Sequence, residues 1–374
     1  MDSQRLNNLT AARFIAALLV YVHHSSAMEY ASMPNDFFRN FASNGHVGVS
    51  FFFVLSGFVL AASNLEKLSE LGLGSTVSFY WKRCARILPL WLLASAPFII
   101  KAAQEGDPRL WSYLTFTQAW SGNVNVSFAL LAVAWTLSVE LFFYLTFPFI
   151  AAVVAPFRSR RLGPILIIGG LLIPTVAALY YELRPELAAL ASSNPCSSHR
   201  WLYRSPLIRL GEFIAGIGSF VLVARYKPWR NRRLWVGVLL LATAAAVLTM
   251  GLQEKSPLIR VMPYAAIFVI VVVALARLEQ LGAGIRWRLP ILLGEASFAF
   301  YLIHQYYFKL VLQPPLVEAF SLQVAQATVL VAAVSASIGL HLMIEVPART
   351  LMLRALRIAS TMLKARTAQE SART

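Results

Sequence analysis

Long apolar runs separated by short, basic-rich polar stretches recur along the whole chain. Ten of them have the length of a membrane-crossing helix: residues 10–27, 47–63, 86–101, 128–154, 164–181, 206–224, 234–250, 257–276, 290–312 and 321–344. At 1.5 Å per residue each covers roughly the ~30 Å of hydrocarbon in a bilayer, some with snorkelling ends. The pattern predicts an all-α, polytopic integral membrane bundle of about ten transmembrane helices. An even count places both termini on one side. The chain begins "MDSQRLNN", and no small-residue cleavage site follows the first apolar run. That run therefore reads as a retained span and not a signal peptide.

Composition agrees with this class. Of 374 residues, 58% are hydrophobic and 13% charged, where a soluble globule carries about a quarter charged residues. The placement of charge tests the topology. With the N-terminus cytosolic, Arg5, Arg13, loops 64–86, 155–163, 225–233 and 277–289, and the stretch 345–374 hold 23 of the 33 Lys and Arg. This asymmetry obeys the positive-inside rule and fits two cytosolic termini. It also accounts for the net charge of +16 without a nucleic-acid partner, and no RNP, zinc or helix-turn-helix pattern occurs. Cys84 and Cys196 fall on opposite sides, so they make neither a disulfide nor a metal site. Residues 8–349 read as one integral membrane domain. Residues 350–374 read as a basic cytosolic tail, lying on the bilayer or partly disordered.

Candidate chemistry begins with "RFIAALLVYVHH", residues 13–24. Arg13 and His24 are eleven residues apart, or three helical turns plus about 20°, so they share one stripe ~16 Å long. His23 points about 100° away. Alone, Arg13 could be an interfacial anchor and the histidines outer-interface residues. In "AWTLSVELFFYL", however, Glu140 sits near the middle of a span with Thr136 one turn before it. A carboxylate at that depth costs roughly 2.5–3.5 kcal/mol even on lenient scales, so it faces a partner or a cavity. In "GEASFAFYLIHQYY", Ser297, Tyr301 and His304 follow i, i+4, i+7 spacing and form one polar stripe. Three helices thus bring titratable groups to comparable depth, which predicts a shared intramembrane site.

The stretch "SFYWKRCARILPLWLL" clusters Lys82, Arg83 and Arg86 at the inner interface, with Pro89 just inside the span. Such a cluster is either a topological anchor or a clamp for phosphoryl oxygens, which arginine forks suit. The nearest glycine-rich segment, "ELGLGS", lacks the lysine and the following helix of a phosphate loop, so a nucleotide hydrolase is not expected. Ser56 and Gly57 read as small residues for close helix approach, or as lining of an acyl tunnel. His23, His46 and His341 read as structural. Glu345 and Arg349 read either as an ion pair beneath the arginine cluster or as residues simply placed at the interface. Loops 102–127 and 182–205 are aromatic and outward-facing, so they are expected to shape an acceptor pocket, and "WSYLTFTQAW" could be re-entrant or interfacial. Midplane charge in an even bundle also fits a secondary transporter of a small anion or sugar, though no repeat relates the two halves.

Six segments in order resemble the membrane acyltransferase-3 family, multi-pass enzymes that O-acylate bacterial glycans using acyl-CoA. They are "RFIAALLVYVHH" (arginine, ten residues, histidine), "GHVGVSFFFVLSGFVL", "FYWKRCARILPLW", "AWTLSVELFFYL", "GEASFAFYLIHQ" and "IEVPAR". The resemblance covers about residues 8–349. It implies that His24 is the catalytic histidine, that Arg13 is the structural or donor-binding arginine of the first helix, and that Arg83 and Arg86 bind the phosphates of the acyl-CoA donor. It gives Glu140 a catalytic role, with Trp135 and Ser138 in the same motif. Leu141 stands where the family usually has a second acidic residue, and the esterase-like domain that many relatives carry is not expected here.

The expected reaction is transfer of an acyl group, acetyl foremost, from cytosolic acyl-CoA to a hydroxyl of a carbohydrate acceptor (exopolysaccharide, O-antigen or lipid-linked sugar) at the bacterial cytoplasmic membrane. No metal or bound cofactor is expected. Neutral His24 acts as general base or, alternatively, forms an acyl-histidine, with Glu140 holding its tautomer. Trp135, Ser138, Ser297, Tyr301 and His304 are expected to bind the acceptor or support the oxyanion.

Overall fold

The computed structural model describes residues 6–26, 35–157, 159–227, 229–252, 256–311 and 322–371. Arg5, Arg158 and Arg373, counted above among the cytosolic charges, lie outside these residues, as do the helix ends predicted at 27, 312 and 321. Among the described residues there is no strand. The principal helices are α1 (Asn7–Ser26), α2 (Gly48–Asn64), α3 (Leu73–Gln104), α4 (Trp135–Val154), α5 (Leu162–Glu182) and α6 (Pro206–Arg225). They continue with α7 (Arg232–Gly251), α8 (Pro257–Gln280), α9 (Arg288–Glu295), α10 (Ser297–Val311), α11 (Leu322–Leu340) and α12 (Val346–Ser371).

Eight helical stretches among the described residues are long and apolar enough to cross a membrane. The chain is an all-α, multi-pass membrane bundle. The two predicted spans outside that set are α1, which carries Arg13 and two histidines, and the segment 290–312, which is two helices and not one. It breaks at Ala296, where Ser297 Oγ donates to Gly294 O at 2.7 Å. Gly294 lies so close to α1 that a Cβ there would stand 1.9 Å from Thr10 O.

Helix boundaries depart from the apolar runs in two places that matter. α3 starts at Leu73, well before residue 86, and carries Pro89 and Pro97 inside it. Arg83 and Arg86 are therefore helical, three residues apart on one face, and not loop residues. α4 starts at Trp135, after an irregular entry in which Leu130 takes a left-handed φ of 58° and Ala132–Ala134 make a 3-10 turn. The division drawn at residue 350 falls inside α12, which runs on from a π-turn at His341–Glu345. Trp81 Nε1 ties α12 to α3 by donating to Met352 O at 2.7 Å.

Hydrogen bonds fix the first helix. The Glu279 carboxylate accepts from the Asn7 and Asn8 amides at 2.6 and 3.3 Å, a negative charge at the positive end of α1. Asn8 Nδ2 donates to Leu275 O and Ala283 O, while its Oδ1 accepts from Ile285 N. Arg277 donates to Leu222, Val223 and Tyr226 carbonyls at the end of α6. Arg225 in turn donates to Ser159 O. These ends form one face of the bundle, the N-terminal face. At the opposite face, the buried Arg204 donates to Ser127 Oγ and to the carbonyls of Ser121, Gly122 and Ser192. It staples the two long loops together.

α2 packs directly on α6. A Cβ at Gly57 would lie 2.0 Å from Phe213 O, and one at Gly216 1.9 Å from Val54 O. Only glycine permits that approach, the small-residue contact common between membrane helices.

Candidate functional site

Two cavities among the described residues bear on the site. The first, of about 270 Å³, lies toward the N-terminal face and is lined by Leu6, Arg13, Arg83, Arg86, Glu140 and Ser297 among others. The second, of about 560 Å³, lies toward the opposite face and is lined by His23, His24, His46, His199, Tyr203 and Arg209 among others. Arg13 and His24 both face the interior. The ridge of α1 joins them, one to each cavity.

In the arginine cavity, Tyr144 OH donates to Glu140 Oε1 at 2.5 Å. The Arg83 guanidinium carbon lies 5.7 and 5.9 Å from the Phe79 and Tyr144 ring centres, cation–π distances. The charges facing Arg13 are Arg86, Glu345 and Glu140. Three guanidiniums and the Glu140 carboxylate line the cavity, with Glu345 a second carboxylate near Arg13, so the site keeps a net positive charge and suits a polyanion. Lys82 is exposed and lines neither cavity. The sequence left Ser56 and Gly57 open between two roles, and they divide: Ser56 lines this cavity, while Gly57 serves close packing.

In the histidine cavity, His24 Nδ1 lies 3.0 Å from His304 Nε2. His304 Nδ1 lies 2.7 Å from Tyr301 O. A carbonyl only accepts, so His304 Nδ1 carries the proton and, in the neutral ring, Nε2 is an acceptor. His24 must then donate from Nδ1, which leaves its Nε2 as the basic nitrogen. The expected pairing of Glu140 with His24 is corrected here. Glu140 belongs to the arginine cavity with Tyr144, and the partner of His24 is His304. The physical reason is packing: α10, not α4, brings a side chain against the end of α1.

The remaining rings line the chamber in a series. His23 stands 5.1 Å from both His24 and His46 between ring centres. Tyr203 is 5.3 Å from His46, 5.2 Å from His199 and 5.0 Å from Trp135. His23 and His46 were expected to be purely structural; both line the chamber. Among the described residues no three His, Cys, Asp or Glu group as a metal site would require.

The stripe Ser297, Tyr301 and His304 passes from one cavity to the other. Ser297 lines the arginine side, Tyr301 lines both, and His304 meets His24. Trp135 lines the histidine cavity. Ser138 lines neither; its hydroxyl accepts from Ala119 N at 3.3 Å and holds the loop before α4. In that loop "WSYLTFTQAW" forms a short helix, Arg109–Leu114, and a 3-10 turn. His341 Nδ1 lies 3.0 Å from Glu345 Oε2, whereas Arg349 is exposed. The expected Glu345–Arg349 pair is replaced by this one because the π-turn draws the two side chains together.

The sequence reading missed Arg209, which donates to Glu212 Oε1 at 2.7 Å, Ser50 Oγ at 3.0 Å and Tyr203 O at 2.7 Å. The signal was present: Arg209 and Glu212 interrupt an apolar run at i, i+3, and the cost that singled out Glu140 applies to them equally. Their mutual pairing leaves the wall of the histidine cavity electrically balanced at that point.

Residues 6–342 match the family model described as "Acyltransferase domain". The chain is 30% identical over 317 residues to "Acyltransferase MdmB" of Streptomyces mycarofaciens, covering 80% of this chain and 78% of that protein. It is 28% identical over 319 residues to "Exopolysaccharide production protein ExoZ" of Rhizobium meliloti (strain 1021), covering 81% and 89%. No solved structure matches significantly.

Proposed function

The chain belongs to the acyltransferase-3 family, and from that premise we propose that it transfers an acyl group, acetyl foremost, from cytosolic acyl-CoA to a hydroxyl of a carbohydrate acceptor. The acceptor class follows the ExoZ relative, whose name places it in exopolysaccharide production. The setting is the bacterial cytoplasmic membrane, with the N-terminal face cytosolic because the basic loops gather there.

One observation carries the reading. A histidine with a defined basic nitrogen faces a large chamber on one side of the bundle, in line with an electropositive cavity on the other. Arg13, Arg83 and Arg86 hold the phosphates of acyl-CoA, since guanidinium forks bind phosphoryl oxygens in pairs. The acceptor hydroxyl enters the histidine cavity, whose aromatic walls suit a sugar ring. His24 Nε2 takes the hydroxyl proton as oxygen attacks the thioester carbon. The C–O bond forms, the C–S bond breaks, and the proton passes from His24 to the leaving sulfur as coenzyme A thiol. His304 holds the tautomer of His24, the part a carboxylate plays in a nucleophile–histidine–acid triad. Glu140 moderates the charge of the arginine cavity and keeps Tyr144 in place.

The test is thioester turnover. Protein in lipid nanodiscs is mixed with acetyl-CoA and a thiol reporter, wild type against His24→Ala, alongside mass spectrometry of surface glycans from cells with and without the gene. Loss of coenzyme A release in the variant and of glycan acetyl esters in the deleted cells is expected. Full turnover in His24→Ala overturns the reading.

A further inference from the structure

The two cavities share two lining residues, Val49 in the first turn of α2 and Tyr301 in α10. Elsewhere their walls diverge: Phe52 and Thr136 face the arginine side, while Ser50 and Val133 face the histidine side. Val49 and Tyr301 are thus where the two chambers come closest.

The Tyr301 ring is held in that place. Its hydroxyl donates to Val133 O at 3.2 Å, on the approach to α4, and lies 3.1 Å from Thr136 Oγ1 in the first turn of α4. Phe52 meets the ring edge-on, 6.2 Å between centres. Its own carbonyl orients His304. Tyr301 is 8% exposed and Val49 3%, so both side chains are packed into the protein where the two chambers meet.

We propose that Tyr301 and Val49 form a septum that selects the acyl group by size, admitting acetyl to His24 and excluding longer chains. The proposal rests on the reading above. The thioester carbon, held from the arginine cavity, reaches His24 Nε2 only by passing these two side chains, and the acyl group at the donor's tip passes first. Each added methylene must then displace packed atoms, and close-packed interiors resist added volume. Specificity of this kind works by repulsion of the wrong substrate. The chemical balance is that of the acetyl reaction for every chain length: one ester bond forms, one thioester bond breaks, and one proton moves from the acceptor hydroxyl to sulfur.

The experiment uses inverted membrane vesicles from gene-deleted cells carrying wild type, Val49→Ala, Tyr301→Leu or His24→Ala. Vesicles receive acetyl-, butyryl- or hexanoyl-CoA, and ester-bound acyl groups in the glycan fraction are counted by mass spectrometry. Transfer in the His24→Ala vesicles is subtracted. The quantity compared is the ratio of longer-chain to acetyl transfer within each variant, so a general loss of activity cancels. A ratio at least roughly tenfold higher than wild type is expected in both widened variants, the scale on which pockets discriminate single methylenes. Val49→Ala removes little volume and decides the matter if Tyr301→Leu fails to accumulate. Wild-type transfer of hexanoyl as readily as acetyl, or an unchanged ratio in Val49→Ala, overturns the septum while leaving the reaction intact. Absence of any His24-dependent acetyl transfer removes the underlying reading instead, and the septum with it.

Discussion

His24 Nδ1 and His304 Nε2 meet at 3.0 Å across 280 residues of chain, and the contact decides which nitrogen of His24 is basic. Because Tyr301 O can only accept from His304 Nδ1, the donor and acceptor roles run in one direction through both rings. A base used in catalysis needs its lone pair aimed at the substrate, so this chain of roles has kinetic consequences.

Replacing His304 by Ala is expected to lower kcat by roughly 10²-fold or more, the scale of general-base catalysis, with the donor KM little changed. His304→Gln, which keeps an acceptor within reach of His24 Nδ1, should recover much of that loss. Equal kcat for the two variants contradicts a tautomer-holding role.

Arg86→Ala is expected to raise the KM for acetyl-CoA more than it lowers kcat. A charge-assisted hydrogen bond is worth about 1.5–3 kcal/mol, or roughly 10–100-fold in binding. Contacts to phosphates far from the reacting carbon bind ground and transition states alike. Steady-state kinetics over a range of acetyl-CoA concentrations separates the two parameters. A fall in kcat at unchanged KM would place Arg86 at the reacting atoms.

Glu140→Gln separates the arginine cavity from the histidine pair. Removing the lining carboxylate leaves three guanidiniums less balanced, so thermal stability should fall while the donor KM decreases. The pH profile of kcat should stay where it is. A displaced acid limb would return Glu140 to the side of His24.

His199 lies in the π-turn His199–Arg204, outside the spans, and burial first and the Arg204 charge second push its ring down to about 4. An unfolded histidine titrates near 6.5. Between these values the unfolded chain binds a proton that the folded chain refuses, so folding stability is complete above the upper value and falls as pH drops through the window. His199→Phe should flatten the dependence of melting temperature on pH between about 6.5 and 4. Thermal unfolding in detergent across that range checks it, and parallel curves for variant and wild type would refute it.

What the linear chain determined is what local geometry can carry. Apolar run length sets the bundle class, since a bilayer demands a minimum helix length and internally satisfied backbone. The 3.6-residue period alone places Arg13 and His24 on one ridge, and Ser297, Tyr301 and His304 on another, because those relations hold inside a single helix. Hydropathy could not place the start of α3 at Leu73, because its first turns are polar, nor show the break at Ala296, which α1 makes room for. Tertiary structure alone decided that His24 faces His304 and not Glu140, that Tyr301 stands between two chambers, and that Arg209 is balanced by Glu212. Each depends on which helix packs against which and at what height. Periodicity gives a side chain's direction about its own axis, but the neighbour it meets is settled only when ridges and small residues from distant segments interlock.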